Sequence, residues 1–282
     1  MLTLARLRAD RQQAAGAGVQ VVLLAALSAG ARLGPVGWLA GIAYTLGLCA
    51  LLTAAVRRTG ADTLGPAGLV TLARAVLVGG VTALVTDRLF SSGTDVIPTP
   101  AVATLVVIAT VALVLDAVDG QVARRTGTAS ALGARFDMEV DAFLILVLSV
   151  HVAVLVGPWA LAIGLMRYGF VAASWTMPWM RSALPARYFT KAVAALQGIV
   201  LVVVTTEALP YPIAAALVST ALALLAWSFG RDVAWLWRNA RLPTGLIQGD
   251  ARRPPLPRPA AVSPSSTRAR AAPWAQRRRR SR

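Results

Sequence analysis

The sequence holds one cysteine, one histidine and one lysine, and 12 acidic residues among its 282. A lone cysteine, Cys49, excludes an intrachain disulfide; set in an apolar run, it reads as inert packing. With Lys191 the single lysine, arginine carries nearly all the positive charge. Charge of either sign is scarce: charged residues make up 14% of the chain, against about 25% in soluble domains. Apolar residues make up 57%, which excludes an ordinary soluble class and points to an integral membrane protein. No repeat of roughly 20–50 residues is present, so repeat architectures are set aside. The basic residues are not interleaved with aromatics, so no nucleic-acid partner is expected.

What the sequence does have is apolar runs. They cover residues 14–31, 36–56, 68–86, 101–118, 136–156, 159–176, 191–206 and 213–230. Each is near the roughly 20 residues that a helix needs to cross a bilayer. The prediction is therefore an all-α, polytopic fold. A basic lead, residues 1–13, precedes the first run, which is read as a start-transfer helix with no cleavable signal.

Arginine placement sets the expected orientation. With the N-terminus inside, the inner segments carry 24 of the 28 basic residues and the outer loops two, Arg32 and Arg88. Leaving out everything from residue 231 onward, the ratio is still 11 to 2. Both termini are expected in the cytoplasm, with the protein in the plasma membrane. From residue 231 the character changes: Trp235 and Trp237 suit headgroup depth, and residues 242–282 read as a disordered basic Pro/Arg-rich tail. That tail is either a plain solvated extension or a segment attracted to anionic membrane lipids.

Five of the twelve carboxylates lie between residues 116 and 141, four of them aspartates. A carboxylate in or beside a membrane segment is costly and marks function by default. If the fourth helix continues through residue 124, helical spacing puts Asp116, Asp119, Gly120, Ala123 and Arg124 on one stripe. Spacing of four does the same for Gly133, Asp137 and Asp141 on the next helix. Two facing stripes would gather four like charges, which need a counter-charge. A hard divalent cation, Mg²⁺ or Mn²⁺, fits oxygen donors best. Gly120 and Ala123 leave a notch beside it, and Arg124 offers a planar fork for a phosphate. Together they describe a site for a nucleoside diphosphate.

The same residues, Asp116-x2-Asp119-Gly120-x2-Ala123-Arg124-x8-Gly133-x3-Asp137-x3-Asp141, match every fixed position of the signature of the CDP-alcohol phosphotransferases, and the chain resembles that family. The resemblance implies a six-helix membrane core, here covering about residues 66–230 and preceded by two extra transmembrane helices. The expected domains are residues 1–13, 14–58, a catalytic membrane domain at 66–238, and the tail at 242–282. It implies Asp116, Asp119 and Asp137 as ligands of two divalent ions, with Asp141 as general base while also near a metal. It implies Gly120 in the cytidine pocket, Arg124 on the diphosphate, and Ser130 as a hydroxyl contact to the CDP group. Leu69-Val-Thr71-Leu-Ala-Arg74 resembles the family's upstream N/D-x-x-T-x-x-R element lining the nucleotide site, with Gly68 where an Asn or Asp stands. Arg74, two turns into a span, calls for a phosphate or carboxylate partner. The reaction implied is transfer of a phosphatidyl group from CDP-diacylglycerol to a small alcohol, with CMP released, in phospholipid biosynthesis. A homodimer is expected.

Each residue also has a plainer reading. Gly120 and Ala123 alone would be packing residues between membrane helices, and Arg124 a positive-inside charge. Arg167, inside the sixth run, is the candidate anion site for a phosphorylated acceptor. Arg187 and Lys191 read equally as positive-inside charges. His151 lies far from the aspartates and reads as a packing residue. Glu139 falls off the aspartate stripe and is expected to meet Arg135 or solvent. The alternative function is a divalent-cation transporter or channel built on the four aspartates; its carboxylates should then lie nearer the bilayer midplane.

Overall fold

A computed structural model describes residues 2–59, 66–90, 100–126, 131–181 and 188–240. Over several stretches, among them residues 2–11 and 117–126, it describes the backbone alone. The tail, residues 242–282, lies outside the described residues.

Eight α-helices form among the described residues: α1 (Leu2–Ala31), α2 (Pro35–Thr59), α3 (Pro66–Phe90), α4 (Pro100–Thr126), α5 (Ala131–Val156), α6 (Leu161–Thr176), α7 (Tyr188–Thr205) and α8 (Tyr211–Ala240). Short 3₁₀ turns at Pro158–Ala160 and Pro178–Arg181 flank α6. Proline opens α2, α3 and α4, where its missing N–H is one of the donors a helix start leaves unpaired anyway. The basic lead does not precede α1 but belongs to it, since helix begins at Leu2.

Among the described residues, five helices are long and apolar enough to cross a membrane: Gln12–Ala31, Pro35–Ala55, Val70–Phe90, Gly133–Val156 and Tyr211–Ala240. The apolar parts of α4 and α7, Pro100–Asp116 and Ala192–Thr205, are shorter. The protein is an all-α polytopic membrane protein, a six-helix core with two further helices before it.

Helix α3 is the centre of the bundle, packed against α1, α2, α4 and α5. Its span is 67% buried within the protein, whereas those of α1 and α2 are 22% and 17% buried. The outward residues of the latter pair, such as Val22, Leu39 and Leu51, are exposed apolar side chains suited to lipid. Small residues let the helices approach. A Cβ at Gly164 would lie 2.6 Å from Leu146 Cα, so α5 and α6 touch there backbone to backbone. Asp87 of α3 closes the first turn of α2: its two carboxylate oxygens accept from Gly34 N at 3.0 Å and Gly37 N at 3.1 Å. These are donors a helix N-terminus cannot satisfy itself, and the negative charge suits the helix dipole.

A polar cluster ties three elements together near the C-terminal ends of α3 and α5. Glu207, in the turn between α7 and α8, accepts from Arg88 Nη2 of α3 at 2.8 Å. His151 Nε2 of α5 stands 3.5 Å from the same oxygen, an electrostatic contact rather than an aligned hydrogen bond. His151, read from the sequence as a packing residue, is indeed buried, and it also faces a carboxylate. The imidazole first, and then the Arg88 guanidinium, hold the Glu207 carboxyl below its ordinary value of 4.5; partial burial works in the opposite sense. A carboxyl that ionises more readily when folded stabilises the fold above its unfolded value, and that contribution is lost as pH falls below it. The thermal midpoint in detergent should therefore drop more steeply for wild type than for Glu207→Gln between about pH 5 and about pH 3. Parallel profiles would mean that the cluster contributes nothing to stability.

Candidate active site

The aspartate stretch is helical on both sides of residues 127–130. Helix α4 runs unbroken to Thr126, carrying Asp116, Asp119, Gly120, Ala123 and Arg124, and α5 begins at Ala131, carrying Asp137 and Asp141. Continuation of α4 through residue 124 is the condition on which the stripe argument rested. The side chains of Asp119, Gly120, Ala123 and Arg124, and all of Ser130, lie outside the described residues.

Arg74 is where the described side chains meet. It stands eight residues, roughly 12 Å, into α3, and its side chain is 1% exposed. Nη1 donates to Asp116 Oδ1 on α4, and Nη2 donates to Asp137 Oδ1 on α5. Nη2 also reaches the Asp137 backbone carbonyl at 3.0 Å. One planar guanidinium thus holds two helices to a third, as a rigid fork can and an ammonium cannot. The carboxylates themselves stay open, with side chains 38% and 34% exposed. They face outward over a buried cation. Asp141 lies one helical turn past Asp137, half-buried, within Coulombic range of Asp116, Arg74, Asp137 and Arg167. Thr71, one turn before Arg74, is buried.

Residues 64–230, more than half of the chain, match the family described as CDP-alcohol phosphatidyltransferase. The chain belongs to that family. No curated protein and no solved structure matches it. As a CDP-alcohol phosphatidyltransferase it is a membrane transferase of lipid biosynthesis, and the family's reaction moves a phosphatidyl group from a CDP-linked donor to an alcohol. The match begins just before α3, so α1 and α2 stand outside it.

Within this phosphatidyltransferase, carboxylates on two helices converge on a single positive group, and their oxygens are hard donors. That donor chemistry fits Mg²⁺ or Mn²⁺. Among the described residues no three carboxylate, imidazole or thiolate groups are gathered to hold one ion. The described part of the site instead takes its counter-charge from Arg74.

The second intramembrane arginine has a different partner from the one expected of Glu139. Arg167 Nη2 of α6 donates to Glu139 Oε1 of α5 at 2.9 Å. Arg167 thus takes the place expected of Arg135, while the Glu139 side chain also stays open to solvent, as expected. Helices α5 and α6 pack against each other on either side of the turn at Gly157, which brings the Arg167 side chain within reach of Glu139, a pairing that helical periodicity within α5 cannot reveal. Arg187 is outside the described residues, as is the side chain of Lys191. One residue carries no signal in the motif and still touches the site's framework: Tyr44 of α2, whose hydroxyl donates to Ala75 O, next to Arg74, at 2.9 Å. A tyrosine hydroxyl inside an apolar run needs a partner, and that was the available hint.

Proposed function

We propose that the protein transfers the phosphatidyl group of CDP-diacylglycerol to the hydroxyl of a small phosphorylated alcohol and releases CMP. The observation that supports this most is the convergence of Asp116 and Asp137 on Arg74, with Asp141 one turn along the same helix. Asp141 takes the proton of the acceptor hydroxyl. The freed oxygen attacks the phosphorus bonded to the lipid, and the bond from that phosphorus to the oxygen bridging it to CMP breaks. CMP leaves with the bonding electrons, and the phosphatidyl-alcohol remains in the bilayer.

Asp116, Asp119, Asp137 and Asp141 are the residues that would hold two divalent cations, which supply charge neutralisation for the diphosphate. Gly120 and Ala123 leave room for the cytidine, and Arg124 and Ser130 are assigned to the CDP group. Thr71 and Arg74 form the wall behind it. Arg167 is assigned to the acceptor phosphate, which would displace Glu139 from its guanidinium. The arginine bias along the chain puts this end of the bundle in the cytoplasm, where soluble acceptors are met. Position also weighs against a transporter: Asp137 stands in the second turn of α5, near a helix end rather than mid-span.

The test is purified protein with CDP-diacylglycerol, Mg²⁺ or Mn²⁺, and a panel of alcohols that includes inositol phosphate, glycerol phosphate and serine, with CMP release as readout. Release with a phosphorylated acceptor is expected. No CMP with any alcohol would sink the enzyme reading, and metal-dependent ion flux in vesicles would replace it with transport.

A further inference from the structure

Helices α1 and α2 stand outside the family match, and the plain reading makes them an anchor. Their contacts argue otherwise. Tyr44 of α2 lies in a notch on α3 made by Gly79: a Cβ there would be 2.8 Å from Tyr44 Cδ1 and 2.6 Å from Gln20 Oε1 of α1. Any larger residue would push the pair off α3. From that notch the Tyr44 hydroxyl reaches back to Ala75 O at 2.9 Å, the carbonyl immediately after Arg74. The other side of the ring meets Phe143 of α5, with centroids 5.4 Å apart and planes tilted by 31°. Phe143 is two residues past Asp141. Tyr44 also lies within Coulombic range of the Arg74 guanidinium.

One side chain of α2 therefore touches both the helix that carries Arg74 and the helix that carries Asp137 and Asp141. Arg74 bridges those helices at the site; Tyr44 bridges them directly behind it. We propose that Tyr44 is a positioning residue, holding α3 and α5 at the spacing that lets Arg74 reach Asp137, and that the α1–α2 hairpin is thereby part of the active unit. The hydroxyl fixes the α3 backbone beside Arg74, and the ring fixes the distance to α5. The consequence for turnover rests on the phosphatidyltransferase reading above; the mechanical coupling does not.

Tyr44→Phe separates the two functions, because it keeps the ring on Phe143 and removes the bond to Ala75 O. In the full-length protein it should lower kcat for CMP release roughly tenfold, since small misplacements at a reacting centre are costly, while KM for CDP-diacylglycerol stays unchanged. Tyr44→Leu, which loses the ring as well, should fall further. Thermal midpoints supply a readout free of the reaction. Tyr44→Phe should lower the midpoint by about 2–4 °C in wild type and by clearly less in an Arg74→Lys background, because the two residues act on one spacing. Additive midpoint shifts, or a Tyr44→Phe kcat within about twofold of wild type, would overturn the proposal. Should Arg74→Lys fail to fold, the kcat and KM of Tyr44→Phe decide alone. Should wild type release no CMP with any alcohol, the enzyme reading falls, and the midpoint coupling still decides whether Tyr44 acts through Arg74.

Discussion

Asp141→Asn is expected to reduce CMP release by about 10²- to 10⁴-fold, the range for removing a general base, while the protein keeps its fold. The amide has the size of the carboxylate and cannot take the acceptor proton. Stability should not suffer, because Asp141 lies within reach of two other carboxylates, Asp116 and Asp137, and removing one of three like charges relieves repulsion. The thermal midpoint should stay level or rise. That combination, activity lost and stability kept, distinguishes a reacting group from a structural one. Activity near wild type in Asp141→Asn would assign the proton to another group.

The second large effect is the reverse combination. Arg74→Ala is expected to destabilise the protein by about 3–5 kcal/mol, from two charge-assisted hydrogen bonds lost and the space left by a fully buried side chain. Two carboxylates on different helices would lose the cation that holds them together, and the Asp137 carbonyl would lose a donor at 3.0 Å. Arg74→Lys should recover only part of the loss, because a single ammonium cannot span Asp116 and Asp137 as the fork does. Added Mg²⁺ should raise the midpoint of Arg74→Ala more than that of wild type, since the freed carboxylates then have a hard cation as their counter-charge. An Arg74→Ala protein as stable as wild type would mean that the helices are held by apolar packing alone.

The limits of the sequence show in particular residues. Helical spacing alone put Asp137 and Asp141 on one face, and the structure keeps them there, because that relation is local to one helix. The need of Arg74 for an anionic partner followed from its depth in an apolar run. Which anion it meets did not, since Asp116 and Asp137 are 42 and 63 residues away and only helix packing sets that choice. Glu139 was expected to meet Arg135 on its own helix or solvent; it is solvent-exposed, and its ion pair comes from Arg167 of α6. Asp87 carries no motif and still completes the first turn of α2, a role created entirely by the position of α3 beside that turn.

Composition and hydropathy, which are properties of the chain read linearly, determined the all-α membrane class and the run of helices. The motif, whose positions follow the helical repeat within α4 and again within α5, was enough to indicate the family. The tertiary structure decided what stands between helices: the guanidinium of Arg74 as the common partner of two aspartates, the Arg167–Glu139 pair, and Tyr44 behind the site. These depend on which faces of α2, α3, α5 and α6 meet, and the faces are chosen by close contacts at positions such as Gly79 and Gly164, summed over the whole bundle rather than written in any one segment.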